Sequence, residues 1–246
     1  MSYSEELNNY IKYVDFDNKV IFDIGANEGE IINFLLEKSH NSIIYGIEPH
    51  QHNINILNNK FENNERVRIL NGAINTYNGV CNIGLEEQER ANGLKQGHII
   101  NNDTSFDLQG RDWNNKQNNI ECWTLDNICK NADIIKMDIE GFEHKVLYNF
   151  LPKMNTHTWL IEIHSWEDLE LHGWTNNNHI KENDSLNKMI KLFINNKYTN
   201  IRVAKTRNNS ITNINQETYW THIPISSYKK NGNTVYYKVV NLIISK

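Results

Sequence analysis

Apolar positions recur along the chain in two alternating rhythms. Val20, Ile21 and Phe22 form a short apolar run suited to a buried strand, and Ile31, Phe34 and Leu35 then fall at helical spacing within residues 30–37. Residues 42–47 read as a second strand, Ile54, Leu57 and Phe61 mark a second helix, and residues 67–70 read as a third strand. Strand, helix, strand, helix, strand at this spacing is the signature of a parallel sheet wound with crossover helices. Residues 134–137 predict a fourth parallel strand, followed by a helix over 143–150, and residues 159–163 a fifth. Beyond it, Met189, Ile190 and Phe193 line one face of a helix over 185–196, and residues 198–204 and 235–244 read as strands. The expected fold is therefore α/β, a doubly wound, mostly parallel sheet finished by a C-terminal antiparallel hairpin. The third and fourth parallel strands are separated by a long interruption, residues 75–129. It predicts a hairpin around Gly79, an edge strand at 120–123 and a loop over 86–119 too long to be a mere connector.

Composition narrows the classes open to such a chain. Its 246 residues carry Lys+Arg 25 against Asp+Glu 30, a formal charge of −5, with 39% hydrophobic residues. That describes a soluble globular protein and opposes a nonspecific grip on nucleic acid, which needs many cations to displace phosphate counterions. Residues 1–9 include Glu5 and Glu6 and no apolar leader core, and no stretch approaches the ~18 apolar residues of a spanning helix, so a cytoplasmic location off the membrane is expected. Cys81, Cys122 and Cys129 are an odd number without zinc-ligand pairing and are expected to be buried thiols. Three prolines and no Gly/Ser linker leave no seam, so a single domain over 1–246 is expected. Asparagine fills 42 positions, an excess that matches AT-rich codon usage and collects in loops such as Asn176-Asn177-Asn178.

Chemistry concentrates where strands end. Residues 20–29 run from a strand through Asp23, Ile24, Gly25, Ala26 and Asn27 to Gly29 and then a helix. Glycines at 25 and 29 let the backbone approach a ligand closely, and the helix N-terminus offers unpaired N–H groups. The dinucleotide fingerprint Gly-x-Gly-x-x-Gly is absent. Asp23 stands where it can accept from the ammonium of a ligand's amino-acid tail, and Glu48, before Pro49, ends the second strand where it can hold both ribose hydroxyls. Together these point to S-adenosylmethionine. In an open α/β sheet the ligand sits beyond the carboxyl ends of the strands, which brings Asp138, Glu140, Glu162 and His164 to the same crevice. A hydroxyl acceptor attacks poorly unless a base removes its proton or a metal lowers its pKa. Asp138, Glu162 and His164 fit the first role, and the same three form an oxygen-rich set suited to Mg2+. Lys136 alternates with Asp138 along the strand, and either pairs internally with a motif carboxylate or orients the acceptor. Glu140 and Glu143 compete between chemistry and bracing the loop that starts the next helix. His50 and His52 fit surface or adenine-side packing better than metal binding.

These stretches resemble the FkbM family of S-adenosylmethionine-dependent methyltransferases. The resemblance is carried by Phe22-Asp23-Ile24-Gly25-Ala26-Asn27-Glu28-Gly29, by Glu48-Pro49, by Thr124-Leu125-Asp126 and above all by Lys136-Met137-Asp138-Ile139-Glu140-Gly141-Phe142-Glu143, and it covers residues 20–164. It implies a class I methyltransferase (Rossmann-like) fold and methyl transfer to oxygen, typically a hydroxyl of a sugar or secondary metabolite. The chain then divides into a cofactor half over about 18–75, an acceptor-loop insertion over about 76–119 and a catalytic half over about 120–246. Where many class I enzymes carry an acidic residue after the third strand, this chain has Asn71-Gly72-Ala73, and Asn71 and Ala73 are the expected adenine contacts. Trp113, Trp166 and Trp174 fall in expected loops and suit sugar faces, and residues 90–93 and 165–178 are the expected acceptor lid. The expected partner is a small-molecule or glycan acceptor, and a homodimer stays open. Two rival readings are a ribose 2′-O-methyltransferase acting on RNA, which the acidic balance opposes, and a binding or scaffold protein that keeps the fold without turnover.

Overall fold

A computed structural model of the chain describes residues 4–85, 97–100, 116–164, 185–206, 226–230, 233–237 and 239–246. The expected lid segments and Trp113, Trp166 and Trp174 lie outside them. The elements run α1 (Ser4–Tyr13), β1 (Val20–Ile24), α2 (Glu30–Lys38), β2 (Ile43–Glu48), α3 (Gln51–Phe61), β3 (Val67–Asn71), β4 (Ala73–Ile74), β5 (Gly79–Leu85), β6 (Gly97–Ile100) and β7 (Lys116–Trp123). They continue with α4 (Leu125–Ile128), β8 (Ile134–Met137), α5 (Glu143–Phe150), β9 (Thr158–His164), α6 (Ser185–Asn195), β10 (Asn200–Thr206), β11 (Ser226–Lys230), β12 (Asn233–Tyr237) and β13 (Val239–Ser245).

The main sheet has seven strands in the order β10-β13-β9-β8-β1-β2-β3. The pairs from β9 through β3 are parallel, while β13 runs antiparallel to both β9 and β10. The expected antiparallel pair near the C-terminus is thus present, with β13 inserted between β9 and β10. The run expected over 235–244 splits into β12, which pairs with β11, and β13, which joins the main sheet.

A parallel sheet must be covered on both faces, and the strand residues alternate accordingly. Phe22, Ile24, Ile135, Met137, Ile161 and Ile163 pack toward α5 and α6, against Val146, Leu147, Met189, Ile190 and Phe193. Ile21, Ile44, Ile134, Leu160 and Ile243 pack toward α1, α2 and α3, against Tyr10, Ile32, Leu35, Ile54 and Leu57. α1 was not anticipated from the sequence, although Leu7, Tyr10 and Val14 recur at helical spacing and all three pack into this second face.

The interruption between β3 and β8 builds a second sheet, β4-β7-β5-β6. Here three expectations are corrected. Gly79 opens β5 and does not turn a hairpin, because β4 pairs in parallel with β7 and not with β5. The strand expected at the edge, β7, is interior, with β4 on one side and β5 on the other. The stretch expected as a loop over 86–119 holds β6 and the start of β7. Cys81 and Cys122 are buried here with Ile83 and Ile120, and Cys129, the C-cap of α4, is buried in the main core; all three are free thiols, as composition led one to expect.

The far end of the main sheet is locked by a buried polar relay. Trp159 Nε1 donates to the Tyr198 hydroxyl at 3.0 Å, and that hydroxyl donates to the Thr156 carbonyl at 2.7 Å. Replacing Tyr198 with Phe leaves the fully buried indole N–H without its acceptor. We expect Tyr198→Phe to lower stability by about 1–3 kcal/mol in urea unfolding; a change below about 0.3 kcal/mol would contradict the relay.

Candidate active site

The cleft opens at the carboxyl ends of β2, β1 and β8. Its floor is the loop after β1, where Ile24, Gly25, Ala26 and Asn27 line it. Gly25 N and Ala26 N donate to the Ile47 carbonyl at 2.9 and 3.1 Å, so the loop stays stitched to β2 as it leaves the sheet. Gly25 sits at φ +80, and a Cβ there would lie 1.9 Å from the Asp138 carbonyl oxygen. Only glycine fits, and the fit presses the loop onto the end of β8. Gly29 has a different duty. It precedes α2 at φ +80, where a Cβ would strike Phe61 and Leu57, so it serves helix packing and does not line the cleft.

Glu48 lines one side and is buried. Its Oε2 accepts from Asn27 N at 2.9 Å, and its Oε1 accepts from His50 N at 2.9 Å and from Asn53 Nδ2 at 3.3 Å. Burial nevertheless pushes its carboxyl from the ordinary 4.5 up to about 7, against those hydrogen bonds and the Lys136 charge. The carboxylate therefore braces both the glycine loop and the start of α3 while facing the cleft. His50 is the N-cap of α3, its Nδ1 accepting from His52 N at 3.1 Å.

Asp23 is placed otherwise than expected. It is fully buried, is absent from the cleft wall, and has the Lys136 ammonium 3.5 Å from its Oδ1. Burial raises its carboxyl, with Lys136 opposing the shift. The cation Asp23 meets is thus the protein's own lysine. Lys136 also lines the cleft and donates to the Gly25 carbonyl at 3.4 Å, which makes it a strut under the loop. Of the two roles open for Lys136, the internal ion pair is present in the structure.

Asp138 and Glu140 line the opposite side, past the end of β8. Asp138 N donates to the Ile24 carbonyl at 3.0 Å, fixing its backbone to β1. Glu140 adopts φ +55 in the turn before α5. Glu143 is not in the cleft. Its Oε1 accepts from Ile139 N at 3.0 Å and Gly141 N at 3.2 Å, so it braces the turn that presents Asp138 and Glu140. Glu162 belongs to β9, one residue beyond the Met137–Ile161 register pair, and does not line the cleft; the His164 side chain lies outside the described residues. Among the described residues no three His, Cys, Asp or Glu side chains gather to hold a metal ion, so the Mg2+ expectation finds no support here.

The remaining wall is apolar. Pro49 and Gly72 line it from the main-sheet side, and Ala73, Ile74, Ile83 and Ile99 from the second sheet. Asn71, expected at the adenine, is exposed and donates from Nδ2 to Gln51 Oε1 at 3.2 Å; it is outside the wall that Gly72 and Ala73 form. Ile83 and Ile99 were not anticipated, because strands inside the interruption gave no rhythm strong enough to place them. Glu28 and Glu30 also face the cleft, so five carboxylates and one ammonium surround it.

The residues fit S-adenosylmethionine. The Gly25 cradle admits a backbone-close ligand, the apolar wall suits a flat base, and Asn27 Oδ1 is buried without a hydrogen-bond partner among the described residues. The sheet order, with one reversed strand between β9 and β10, and a ligand cleft at its carboxyl edge are those of class I methyltransferases. The Methyltransferase FkbM domain model matches residues 23–198, and the chain belongs to that family of S-adenosylmethionine-dependent methyltransferases. No curated protein matches the chain. Among solved structures it is similar to precorrin-6y C5,15-methyltransferase from Geobacter metallireducens, at 10% identity over 99% of this chain and 86% of that one, TM-score 0.45. It is similar also to fibrillarin from Aeropyrum pernix with natively bound S-adenosyl-L-methionine, at 7% identity over 96% and 73%, TM-score 0.44. A third is M. jannaschii TYW2 in complex with AdoMet, at 12% identity over 100% and 78%, TM-score 0.43. Likeness at this level says nothing of the substrate. No helix among the described residues is long and apolar enough to cross a membrane.

Two outcomes follow from this geometry. Gly25→Ala should weaken S-adenosylmethionine binding at least ~10-fold in calorimetry with circular dichroism unchanged, since the new Cβ displaces the loop from Asp138; unaltered affinity would contradict the cradle. Glu48 has its folded pKa raised, so between pH 4.5 and about 7 the native state holds a proton that the unfolded chain has lost. Stability of the ligand-free protein therefore falls as pH rises across that window, by up to about 3 kcal/mol from this group. Urea unfolding from pH 4.5 to 8 should show the decline, flattened in Glu48→Gln; equal slopes in the two proteins would contradict it.

Proposed function

We propose that the chain transfers the methyl group of S-adenosylmethionine to a hydroxyl of a neutral, polyhydroxylated acceptor, a sugar or glycan, with Asp138 as the base. The observation that carries this reading is the charge of the cleft: Glu28, Glu30, Glu48, Asp138 and Glu140 against Lys136. Such a lining attracts a sulfonium cofactor and repels phosphate-rich acceptors, whereas sugar hydroxyls donate to carboxylates. The RNA 2′-O reading is disfavoured on the same ground.

In the proposed reaction the cofactor supplies a methyl group activated on a sulfonium sulfur. Glu48 accepts from the ribose hydroxyls, Asn27 Oδ1 accepts from a ligand N–H or O–H donor, and Gly72, Ala73 and Ile74 receive the adenine. Lys136 holds the Gly25 loop in place from beneath. Asp138 lines the same cleft as Glu48, where it would accept the proton of the acceptor hydroxyl as that oxygen takes the methyl carbon from sulfur, the S–C bond breaking as the O–C bond forms. Most of the acceleration comes from alignment in the closed cleft, because an in-line displacement needs no covalent help.

Labelled S-adenosylmethionine offered in parallel to nucleotide-sugars, free glycans and capped RNA should mark the sugars; label in RNA alone would overturn the acceptor assignment. Asp138→Asn should cut turnover at least ~100-fold while cofactor affinity stays within about 2-fold, the scale of a lost general base. Unchanged turnover would remove Asp138 from the mechanism.

A further inference from the structure

We propose that Gln117 is a positioning residue that ties the second sheet to the cofactor floor, so that cofactor binding sets the roof of the cleft before the acceptor enters. Gln117 sits on β7, between the motif strings and in none of them, and its side chain makes two bonds to one turn. Its Nε2 donates to the Pro49 carbonyl at 3.2 Å, and its Oε1 accepts from Gln51 N at 3.1 Å. Gln51 is the first residue of α3, whose N–H has no acceptor within the helix, so Gln117 supplies the partner the helix lacks. The side-chain amide acts on the turn as a peptide group would, one donor and one acceptor in register.

The turn it grips is the one Glu48 grips from inside, through His50 N. Pro49 lies in the cleft wall between them. On the other side, Gln117 is the direct register partner of Ile83 across β5 and β7, and Ile83 pairs in turn with Ile99 of β6. Ile83 and Ile99 are the two roof residues of the cleft. A single rung of the second sheet therefore runs from the cofactor turn through Gln117 to both roof side chains. A second tie runs alongside, since Gln51 Oε1 accepts from Asn71 Nδ2 at the end of β3.

The consequence is a coupling. A ligand that engages Glu48 holds the 48–51 turn in one position, and through Gln117 that position is transmitted to β5 and β6. The roof is ordered by the cofactor, and acceptor binding follows it. Reciprocally, a roof released from the turn leaves the turn less well held and weakens the cofactor.

The test is hydrogen–deuterium exchange of the full chain with and without S-adenosylhomocysteine, together with calorimetry for affinity. In the wild type the ligand should slow exchange both in the 48–51 turn and in β5–β6. In Gln117→Ala the turn should still be protected by ligand, the protection of β5–β6 should be lost, and affinity should fall about 5–10-fold, the scale of one or two neutral hydrogen bonds. Gln117→Glu retains the acceptor for Gln51 N and loses the donor to Pro49, so it should fall between the two, and it stands in if the alanine variant fails to fold. Ligand protection of β5–β6 undiminished in the variants, or unchanged affinity, would overturn the coupling. A wild-type chain that shows no binding would instead overturn the cofactor assignment, a separate result.

Discussion

The site depends on how closely two strand ends approach. The loop after β1 crosses the end of β8 with no room for a side chain between them, Gly25 lying where a Cβ would sit 1.9 Å from the Asp138 carbonyl. That contact places the glycine loop and the Asp138 and Glu140 carboxylates in one cleft. It is held from three sides: by Gly25 and Ala26 N–H groups on the Ile47 carbonyl, by Asp138 N on the Ile24 carbonyl, and by Lys136 on the Gly25 carbonyl. Everything beyond it, from the Glu143 brace to the second-sheet roof, presents groups to a space this contact creates.

Charge is sorted by depth. Asp23 and Lys136 are cross-strand partners in β1 and β8, buried together under the loop, where each offsets the cost of burying the other. Above them Glu48 is buried but accepts three hydrogen bonds, and its raised pKa records that burial outweighs them. At the rim stand Glu28, Glu30, Asp138 and Glu140. A cationic cofactor meets acidic groups there, while the deepest acid is already neutralised. Asp23, the first acidic residue of the motif, thus meets Lys136 beneath the loop, whereas Glu48 faces the cleft.

The parallel core was legible in the sequence because its strands are buried on both faces and its crossover helices keep a strict rhythm; β8 and α5 fall where the pattern put them. The glycine loop, Glu48, Asp138 and Glu140 were legible because strand ends are where α/β sheets bind ligands. What the pattern missed were pairings between segments far apart. The second sheet pairs β4 with β7 over some fifty residues, and no local rhythm records that. Asn71 was misplaced by analogy of position, since its neighbours Gly72 and Ala73 form the wall while its own side chain turns to Gln51. The partner of Lys136 was not legible because only the β1–β8 register sets Asp23 opposite it.

A crystal structure of the chain with S-adenosylhomocysteine would test the central claim most directly, that one cleft across the ends of β2, β1 and β8 joins cofactor and chemistry. The account predicts the ribose against Glu48, the base against Gly72 to Ile74, and the sulfur over Gly25 on the side of Asp138. Density elsewhere on the protein, or a ribose that leaves Glu48 untouched, would contradict it.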